Sequence, residues 1–477
     1  MTTLEIETIP DIDLDGVTVD ECDDAEPNTK RYIVTVRPAP DNYAATTERL
    51  VNFYPEPAPD GSMAQFSLKS VLGTEEWINI DGTFVRAFDV VGDTAYAVLA
   101  GRLYELRENG AVFDRGSVPD SAITNIAGHG DAVTICAGGQ YHVWDGSALS
   151  QPATGAFSGM GAAEYIGGYT VITEAEGQRF QWSALGDPGD LPGLNFATAE
   201  ARDDDLLRPL AINGNLWLFG ERSIEIWTRT GEASENAFAR LGGAVVERGL
   251  KRFGLVTKIP GGAFFVGNDG VCYLASGTDI EPISRIAVET ALAEADPTAC
   301  FYYQDEGHKF CVIRFADRPA WVYDLSTGLW HERSFNGGPW NGTAAAEAYG
   351  AWRLATIGGA FQEMKRNNVD EGAELRRVAV SRPLYMEGRH FRVPRVELLG
   401  RIGRADIGRT PKVMFRFSRD GGNTWGNVLS RSMGDLGEYD RRVTVRSLGR
   451  AKMLVAEVAL TEPADITLLS AMNVEVE

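Results

Sequence analysis

The sequence has few cysteines and no long apolar runs. The five cysteines among its 477 residues are scattered and odd in number, which indicates neither a disulfide framework nor a C-x-x-C zinc site (Cys22, Cys136, Cys272, Cys300 and Cys311). No apolar run approaches the ~20 residues of a membrane span, and the N-terminus lacks the basic and apolar regions of a signal peptide. We therefore expect that the protein does not insert into a membrane and that it is synthesised in a reducing cytoplasm.

Positive charge is also scarce. The chain has 45 Lys and Arg against 67 Asp and Glu, a net charge of −22, which argues against a nucleic-acid binder that neutralises phosphates. The deficit is uneven, because residues 1–29 hold ten acids and no base, whereas residues 376–452 hold 18 bases and 7 acids, a local net of +11. The C-terminal quarter is thus a separate electrostatic unit, which indicates a separate domain.

Motifs for catalysis and cofactor binding are absent. The Gly-Gly pairs join strands rather than a strand to a helix, so no phosphate-binding loop is indicated. The run Asp203–Asp205 is expected to be a solvated loop. The histidines show no His-x-x-x-His or Ser-His-Asp spacing (His129, His142, His308, His331 and His390). We predict no catalytic residue, no cofactor site and no metal ligand.

Two partial motifs have structural interpretations. Ser418–Trp425 follows the Asp-box pattern S-x-D-x-G-x-x-W, in which Asp420 bonds backbone N–H groups of a tight turn, the glycines adopt positive φ and the Trp packs underneath. Asp11–Cys22 opens like a calcium loop, but its twelfth position is Cys22 where a bidentate Glu is needed. We expect a structural hairpin at the first motif and a flexible or partner-docked acidic arm at the second.

A repeat dominates the middle of the chain. Short β-branched and aromatic strands alternate with glycine turns, and the turn glycines recur at intervals of 38 to 48 residues (Gly92, Gly130, Gly168, Gly214, Gly262, Gly307 and Gly350). This period is typical of β-propeller blades, so the sequence predicts seven blades. Aromatics that end the third strand of several copies are expected to pack between blades (Trp144, Trp182, Trp227 and Tyr323).

The predicted fold is therefore all-β, with an acidic N-terminal arm and extended segment over residues 1–60, a seven-bladed propeller over 61–370 and a β-sandwich-like domain over 371–477. The segment Ala64–Leu68 is expected to close the ring by pairing with the last blade. One helix is predicted within Ser284–Ala295. Six sandwich strands are predicted, namely Arg377–Tyr385, Phe391–Leu399, Lys412–Phe417, Arg441–Val445, Leu454–Leu460 and Ile466–Val476.

Several stretches resemble the tail hub, or nozzle, proteins of short-tailed phages, which are also called packaged-DNA stabilisation proteins. Arg49–Glu56 is similar to the family's R-x-V-N-hydrophobic-Y-P-E opening. Asn215–Gly231 looks like its F-G-x-x-x-I-E-hydrophobic-aromatic segment, and Arg248–Leu250 like the turn that follows. The closing strands are similar from Tyr439–Arg442 through Leu448–Arg450 to Val474–Glu477. Residues 1–40 have no counterpart in this resemblance.

The resemblance implies a homo-hexameric tube in the virion tail, assembled in the host cytoplasm below the portal and its head-to-tail adaptor protein. Such a tube retains packaged DNA, carries tailspikes or fibres and a tail needle or plug, and passes viral DNA without binding it specifically. An acidic propeller suits that role because it repels DNA. The basic C-terminal unit is expected to dock on acidic neighbouring subunits, or on the acidic arm of the same or an adjacent copy.

Two other interpretations stay open at this point. The Asp-box and the many aromatics are compatible with a propeller glycosidase or lyase, which needs acids and arginines that converge on one propeller face. A carbohydrate- or protein-binding propeller that acts as a monomeric scaffold is the other.

Overall fold

The computed structural model of the protein describes residues 17–18, 30–35, 48–58, 66–80, 84–155, 157–232, 234–400, 402, 410–462 and 467–477. One compact unit comprises residues 71–376, and the other comprises 377–477 together with the described residues up to Ser70. This division differs from the predicted boundaries at residues 60 and 370. Except for Val17 and Thr18, both the acidic arm over residues 1–29 and the calcium-like loop over residues 11–22 lie outside the described residues.

Residues 71–376 form the predicted seven blades, each of four antiparallel strands. Blades 1 to 3 consist of Val85–Val91, Thr94–Leu99, Arg102–Leu106 and Val112–Ser117; Thr124–His129, Ala132–Ala137, Gln140–Trp144 and Leu149–Ser150; and Met160–Ile166, Tyr169–Glu174, Arg179–Trp182 and Phe196–Thr198. Blades 4 and 5 consist of Leu206–Ile212, Asn215–Gly220, Ile224–Arg229 and Phe238–Val246; and Val256–Ile259, Gly262–Val266, Cys272–Ser276 and Asp279–Pro282.

Blades 6 and 7 complete the ring. Blade 6 consists of Pro297–Asp305, His308–Phe315, Ala320–Asp324 and Leu329–Arg333, and blade 7 of Gly342–Ala348, Ala351–Thr356, Ala360–Lys365 and the earlier strand Gly73–Asn79. Further elements are the 3₁₀ turn Ser234–Asn236, the hairpin Val369–Asp370 with Ala373–Glu374, and the helix Ile286–Glu294 between blades 5 and 6. The helix lies within the predicted range.

The prediction for ring closure was wrong in its strand. Gly73–Asn79, not Ala64–Leu68, pairs with the third strand of blade 7, from Ala360 opposite Asn79 to Lys365 opposite Gly73. The strand that contains Leu68, Phe66–Ser70, pairs instead with Phe53–Pro57 and Leu468–Val476 in the other unit. Both candidates are short strands, so hydrophobic pattern alone does not decide which one completes the sheet.

The predicted blade-to-blade packing is confirmed for three of the four aromatics. Trp144 packs with residues of blades 1 and 2 in one buried cluster, and Trp182 and Trp227 pack in a cluster formed by blades 3 and 4. Most first-to-second strand turns carry the predicted glycine with positive φ. Blade 5 differs, since Gly261 has the positive φ of 79° and Gly262 begins the second strand.

The other unit is a two-sheet sandwich. Its first sheet runs in the order Val17–Thr18, Lys30–Thr35, Leu468–Val476, Phe391–Gly400 and Val443–Ala451, with Phe66–Ser70 and Phe53–Pro57 attached at Leu468–Val476. Its second sheet contains Arg49–Val51, Arg377–Val380, Met453–Leu460, Lys412–Ser418 and Leu429–Ser432, and Leu384–Tyr385 also pairs with Met453–Leu460. Fully buried side chains from the two sheets, such as Val396, Val445 and Phe415, form one core.

Two sandwich strands differ from their predicted extents by more than two residues, and a third strand was not predicted. The predicted strand Arg377–Tyr385 is interrupted before Leu384, where Pro383 cannot donate a backbone hydrogen bond. The last-but-two strand runs to Ala451 rather than Val445, because a bulge with positive φ at Ser447 and Gly449 lets pairing resume. Leu429–Ser432 was not predicted.

Within the described residues, no helix is long and apolar enough to cross a bilayer.

Candidate functional site

A functional candidate in the propeller is the cavity on its axis. The first strands of all seven blades line it, and its volume is about 620 Å³. That size matches the roughly 300–1,000 Å³ of small-molecule pockets. A DNA duplex is wide enough for its major groove to hold an α-helix, so it is too wide to pass through this cavity.

Charged side chains from different blades converge on this cavity. Glu164 of blade 3 is buried and pairs with Lys258 of blade 5, with 2.6 Å between Oε1 and Nζ. Arg208 of blade 4 also lines the cavity, and its guanidinium lies 5.1 Å from the Phe253 ring centroid. Burial lowers the pKa of Arg208. Glu347 of blade 7 adds an exposed carboxylate to the cavity wall.

Asp89 of blade 1 is the most perturbed acid of the cavity. Its side chain is exposed to the cavity, and desolvation by the surrounding protein raises the pKa of its carboxyl to about 6. The backbone N–H of Val90 donates to it over 2.8 Å, and Lys258 and Arg208 also favour its charged form, without cancelling the effect of burial. Asp89 therefore takes up a proton near pH 6, within the range where a general acid operates.

These cavity residues were not predicted as a site. Asp89, Glu164, Arg208 and Lys258 are spread over four repeats, each on the first strand of its blade. The repeat pattern could have indicated that first strands share the axis. It carries no information on which side chains point inward at the same height, since that depends on the stagger of each blade.

The Asp-box hairpin has the structural role that was predicted. Asp420 accepts hydrogen bonds from the backbone N–H of Thr424 at 2.9 Å and from the Ser418 hydroxyl at 2.7 Å. Gly421 and Gly422 have φ of 77° and 96°. Bonds from Thr424, followed by that from Ser418, lower the pKa of Asp420 to about 2. The Trp425 ring lies 4.7 Å from the Arg416 guanidinium.

The acidic run and the histidines also take part in local structure. Asp204 accepts from the backbone N–H of Arg222 at 2.6 Å and of Ser223 at 2.9 Å, and so fixes a turn of blade 4. His308 Nδ1 lies 2.7 Å from Asp324 Oδ2. Of His129, His142, His331 and His390, only His390 is exposed. Among the described residues, no three His, Cys, Asp or Glu side chains are grouped as metal ligands.

Two sequence-family profiles match the chain, in the order of its two compact units. The first is described as the β-propeller of bacteriophage P22 Gp10 and matches residues 41–355, which is more than half of the chain. The second is described as the β-sandwich of the same protein and matches residues 376–477. The chain belongs to the bacteriophage P22 Gp10 family. It is a structural protein of a bacteriophage tail, as the resemblance at Arg49–Glu56 and Asn215–Gly231 implied.

Outside the P22 Gp10 family the likeness is weak. Solved structures similar to the chain include YCF48 bound to D1 peptide (10% identity, 62% of this chain and 98% of that chain, TM-score 0.41). The WD40 β-propeller domain of Doa1 is 8% identical over 62% and 97% of the two chains, with a TM-score of 0.41. BamB from Moraxella catarrhalis is 11% identical over 58% and 93%, with a TM-score of 0.35. No curated protein matches the sequence.

Proposed function

We propose that this chain is the tail hub of a short-tailed phage. Six copies form a tube below the portal and its head-to-tail adaptor protein, retain the packaged DNA, and carry tailspikes or fibres and a needle or plug. The observation that carries the proposal is the match to both P22 Gp10 domains, in order, over residues 41–355 and 376–477. Assembly takes place in the host cytoplasm, and the chain acts without catalysis.

Charge supports a conduit that does not hold DNA. The propeller unit over residues 71–376 has 23 Lys and Arg against 41 Asp and Glu, a net charge of −18. Each cation that faces a DNA channel would hold a phosphate, whereas an acidic wall repels it. Since the axial cavity of about 620 Å³ is too small for a duplex, we place the DNA path between the six copies and not through each propeller.

A phage that lacks the gene tests this function directly. We expect its heads to package DNA and then lose it, so that encapsidated DNA becomes sensitive to nuclease, and the wild-type chain supplied in trans to restore protection. An antibody against the chain should label wild-type virions at the tail vertex. Nuclease-resistant DNA in heads without the chain, or label away from the tail vertex, would contradict the proposal.

The axial cavity supports a second candidate, glycoside hydrolysis. Asp89, with its pKa raised to about 6, could protonate a leaving group while Glu164 or Glu347 served as the second carboxylate. The ion pair of Glu164 with Lys258 argues against Glu164 in this role and leaves Glu347 as the second carboxylate.

Substitution of Asp89 separates the two functions. If the cavity is catalytic, Asp89→Asn abolishes release of reducing sugar from host surface polysaccharide, and if it is not, wild type and variant both release none. We expect no release from either protein, with DNA retention unchanged in the variant.

A further inference from the structure

The edge strand Val443–Ala451 of the sandwich carries exposed cations. Its buried residues Val443, Val445, Leu448 and Ala451 face the core, whereas Arg446 and Arg450 are exposed on the opposite face. Lys452 follows directly and is exposed. We call Arg446, Arg450 and Lys452 the basic edge. Among the residues that the structure describes, none forms an ion pair or a side-chain hydrogen bond with any of the three, in contrast to propeller cations such as Arg102, which pairs with Asp114.

This strand is the last of its sheet. Within the described part of the chain, its inner side pairs with Phe391–Gly400 and no strand pairs with its outer side. Near its start the carbonyl of Thr444 accepts a hydrogen bond from Arg431 at 3.1 Å. An open edge of this kind is a template for an added strand, and its charges select which strand can be added.

The N-terminal arm has the complementary pattern. Acidic and apolar residues alternate strictly over Asp11–Ile12–Asp13–Leu14–Asp15, a period of two that is typical of a strand with one acidic face. This segment lies outside the described residues, immediately before the strand Val17–Thr18. Because successive side chains of a strand point to opposite faces, all three Asp residues share one face.

The sheet order separates Asp15 from the basic edge of its own copy. Val17–Thr18 forms the opposite edge of the same sheet, four strand spacings from Val443–Ala451. At about 4.8 Å per spacing the two edges are ~19 Å apart, whereas the two residues from Asp15 to Val17 span only ~7 Å. Asp15 therefore cannot reach the basic edge of its own chain.

We propose that Asp11–Asp15 of one copy adds as a strand to the basic edge of a second copy. The two edges differ, so the contact is head-to-tail, and repetition around a rotation axis closes a ring. This inference rests on the proposed hexamer and identifies the contact that builds it. Opposite charges across the new strand pair fix its register and speed association.

Charge reversal on each side tests the contact. At low ionic strength, Asp13→Lys with Asp15→Lys, or Arg446→Glu with Arg450→Glu, should weaken assembly on the order of tenfold or more, because several exposed pairs change from attractive to repulsive. A chain with all four changes should assemble again. The control Arg222→Glu with Arg240→Glu reverses two exposed propeller cations that have no ion pair, and it should assemble as wild type does. The readout is the mass of the assembled species by native mass spectrometry.

Binding of a peptide separates this contact from the tail-hub function. A labelled peptide of residues 1–18 should bind the wild-type chain by fluorescence anisotropy and bind the Arg446→Glu, Arg450→Glu chain at least tenfold more weakly, and a scrambled peptide of equal charge should bind weakly to both. If each of the two charge-reversed chains still forms rings, the inference is wrong, and the proposed tail-hub function is unaffected. The basic edge would then serve only to prevent aggregation. Peptide binding without ring formation on virions would instead contradict the tail hub.

Discussion

His331 of blade 6 is a buried residue whose protonation opposes folding. It is 1% exposed, its ring lies 5.4 Å from that of Phe310, and burial lowers its pKa to about 3. Asp324 raises that pKa, whereas Arg333 and His308 lower it further. A histidine in the unfolded chain has a pKa near 6.5. Between pH 6.5 and 3, His331 is therefore protonated in the unfolded state and neutral in the folded state.

We therefore predict that the contribution of His331 to stability is complete above pH 6.5 and is lost as the pH falls toward 3. His331→Phe should flatten the decline of the free energy of unfolding by up to about 1.4 kcal/mol per pH unit over this window. Denaturant melts of both proteins at pH 4, 5, 6 and 7 measure the slopes. Equal slopes would mean that His331 binds a proton equally well in the folded and unfolded states.

The contribution of Asp89 to stability has the opposite pH dependence to that of His331. The pKa of Asp89 is raised to about 6, so it contributes fully to stability below the unfolded value near 4 and loses that contribution as the pH rises through 6. We predict that Asp89→Asn gains stability relative to wild type between pH 4 and pH 7, as followed by thermal melts. A constant difference across this range would place the Asp89 carboxylate in contact with bulk water.

At the residue scale, the sequence shows which side chains can ionise or form hydrogen bonds, but it does not show which of them contact each other in the fold. The Asp-box was predictable because Ser418, Asp420 and Thr424 bond within one hairpin of eight residues. The Glu164–Lys258 pair was not, since 94 residues separate its members and only closure of the ring brings blades 3 and 5 to one axis.

At the element scale, the blades depend on large aromatics that each fill the space between two sheets. Trp182 is 1% exposed, and its ring lies 5.2 Å from that of Phe238 in the next blade. Trp182→Ala should lower the free energy of unfolding by about 3–5 kcal/mol, the usual cost of removing a buried aromatic. The matched control Leu185→Ala alters a side chain that is 64% exposed and should change little. Chemical denaturation of both variants measures this, and equal effects would show that the blades do not depend on Trp182.

Ring closure rests on the strand Gly73–Asn79. A Cβ on Gly73 would lie 2.1 Å from Asn367 Oδ1 and 2.2 Å from the carbonyl oxygen of Val369, so the strand must shift to admit one. Gly73→Ala should destabilise the propeller by about 1–3 kcal/mol. Gly358→Ala, in the same blade with no atom within 4 Å of the added carbon, is the control and should be near neutral. Hydrogen exchange should locate the loss in blade 7, and exchange that rises evenly over the ring would contradict the assignment.

The number and spacing of the blades followed from the sequence because each repeat carries its own glycine turn and apolar alternation. The identity of the closing strand did not, since that pairing joins residues 73–79 to residues 360–365 and no local signal distinguishes it from Phe66–Ser70. The break at Pro383 was readable in the sequence. The bulge at Ser447–Gly449, which has the composition of a turn, led to the shortened prediction for its strand.

At the scale of the whole molecule, the propeller and the sandwich differ in charge. Under the proposed function the propeller, with a net charge of −18, repels DNA, whereas the sandwich presents cations at its sheet edge. Added salt screens the second effect, so we expect isolated assemblies to dissociate as ionic strength rises past the point where the Debye length is about 8 Å, near 0.15 M.

The most direct test of the central claim is a cryo-electron microscopy reconstruction of the tail vertex. The account predicts six copies of the 51.9 kDa chain in a ring, about 311 kDa in all, with the DNA path between the propellers and each axial cavity empty of DNA. Density for the chain away from the tail vertex, or DNA threaded along a propeller axis, would contradict it.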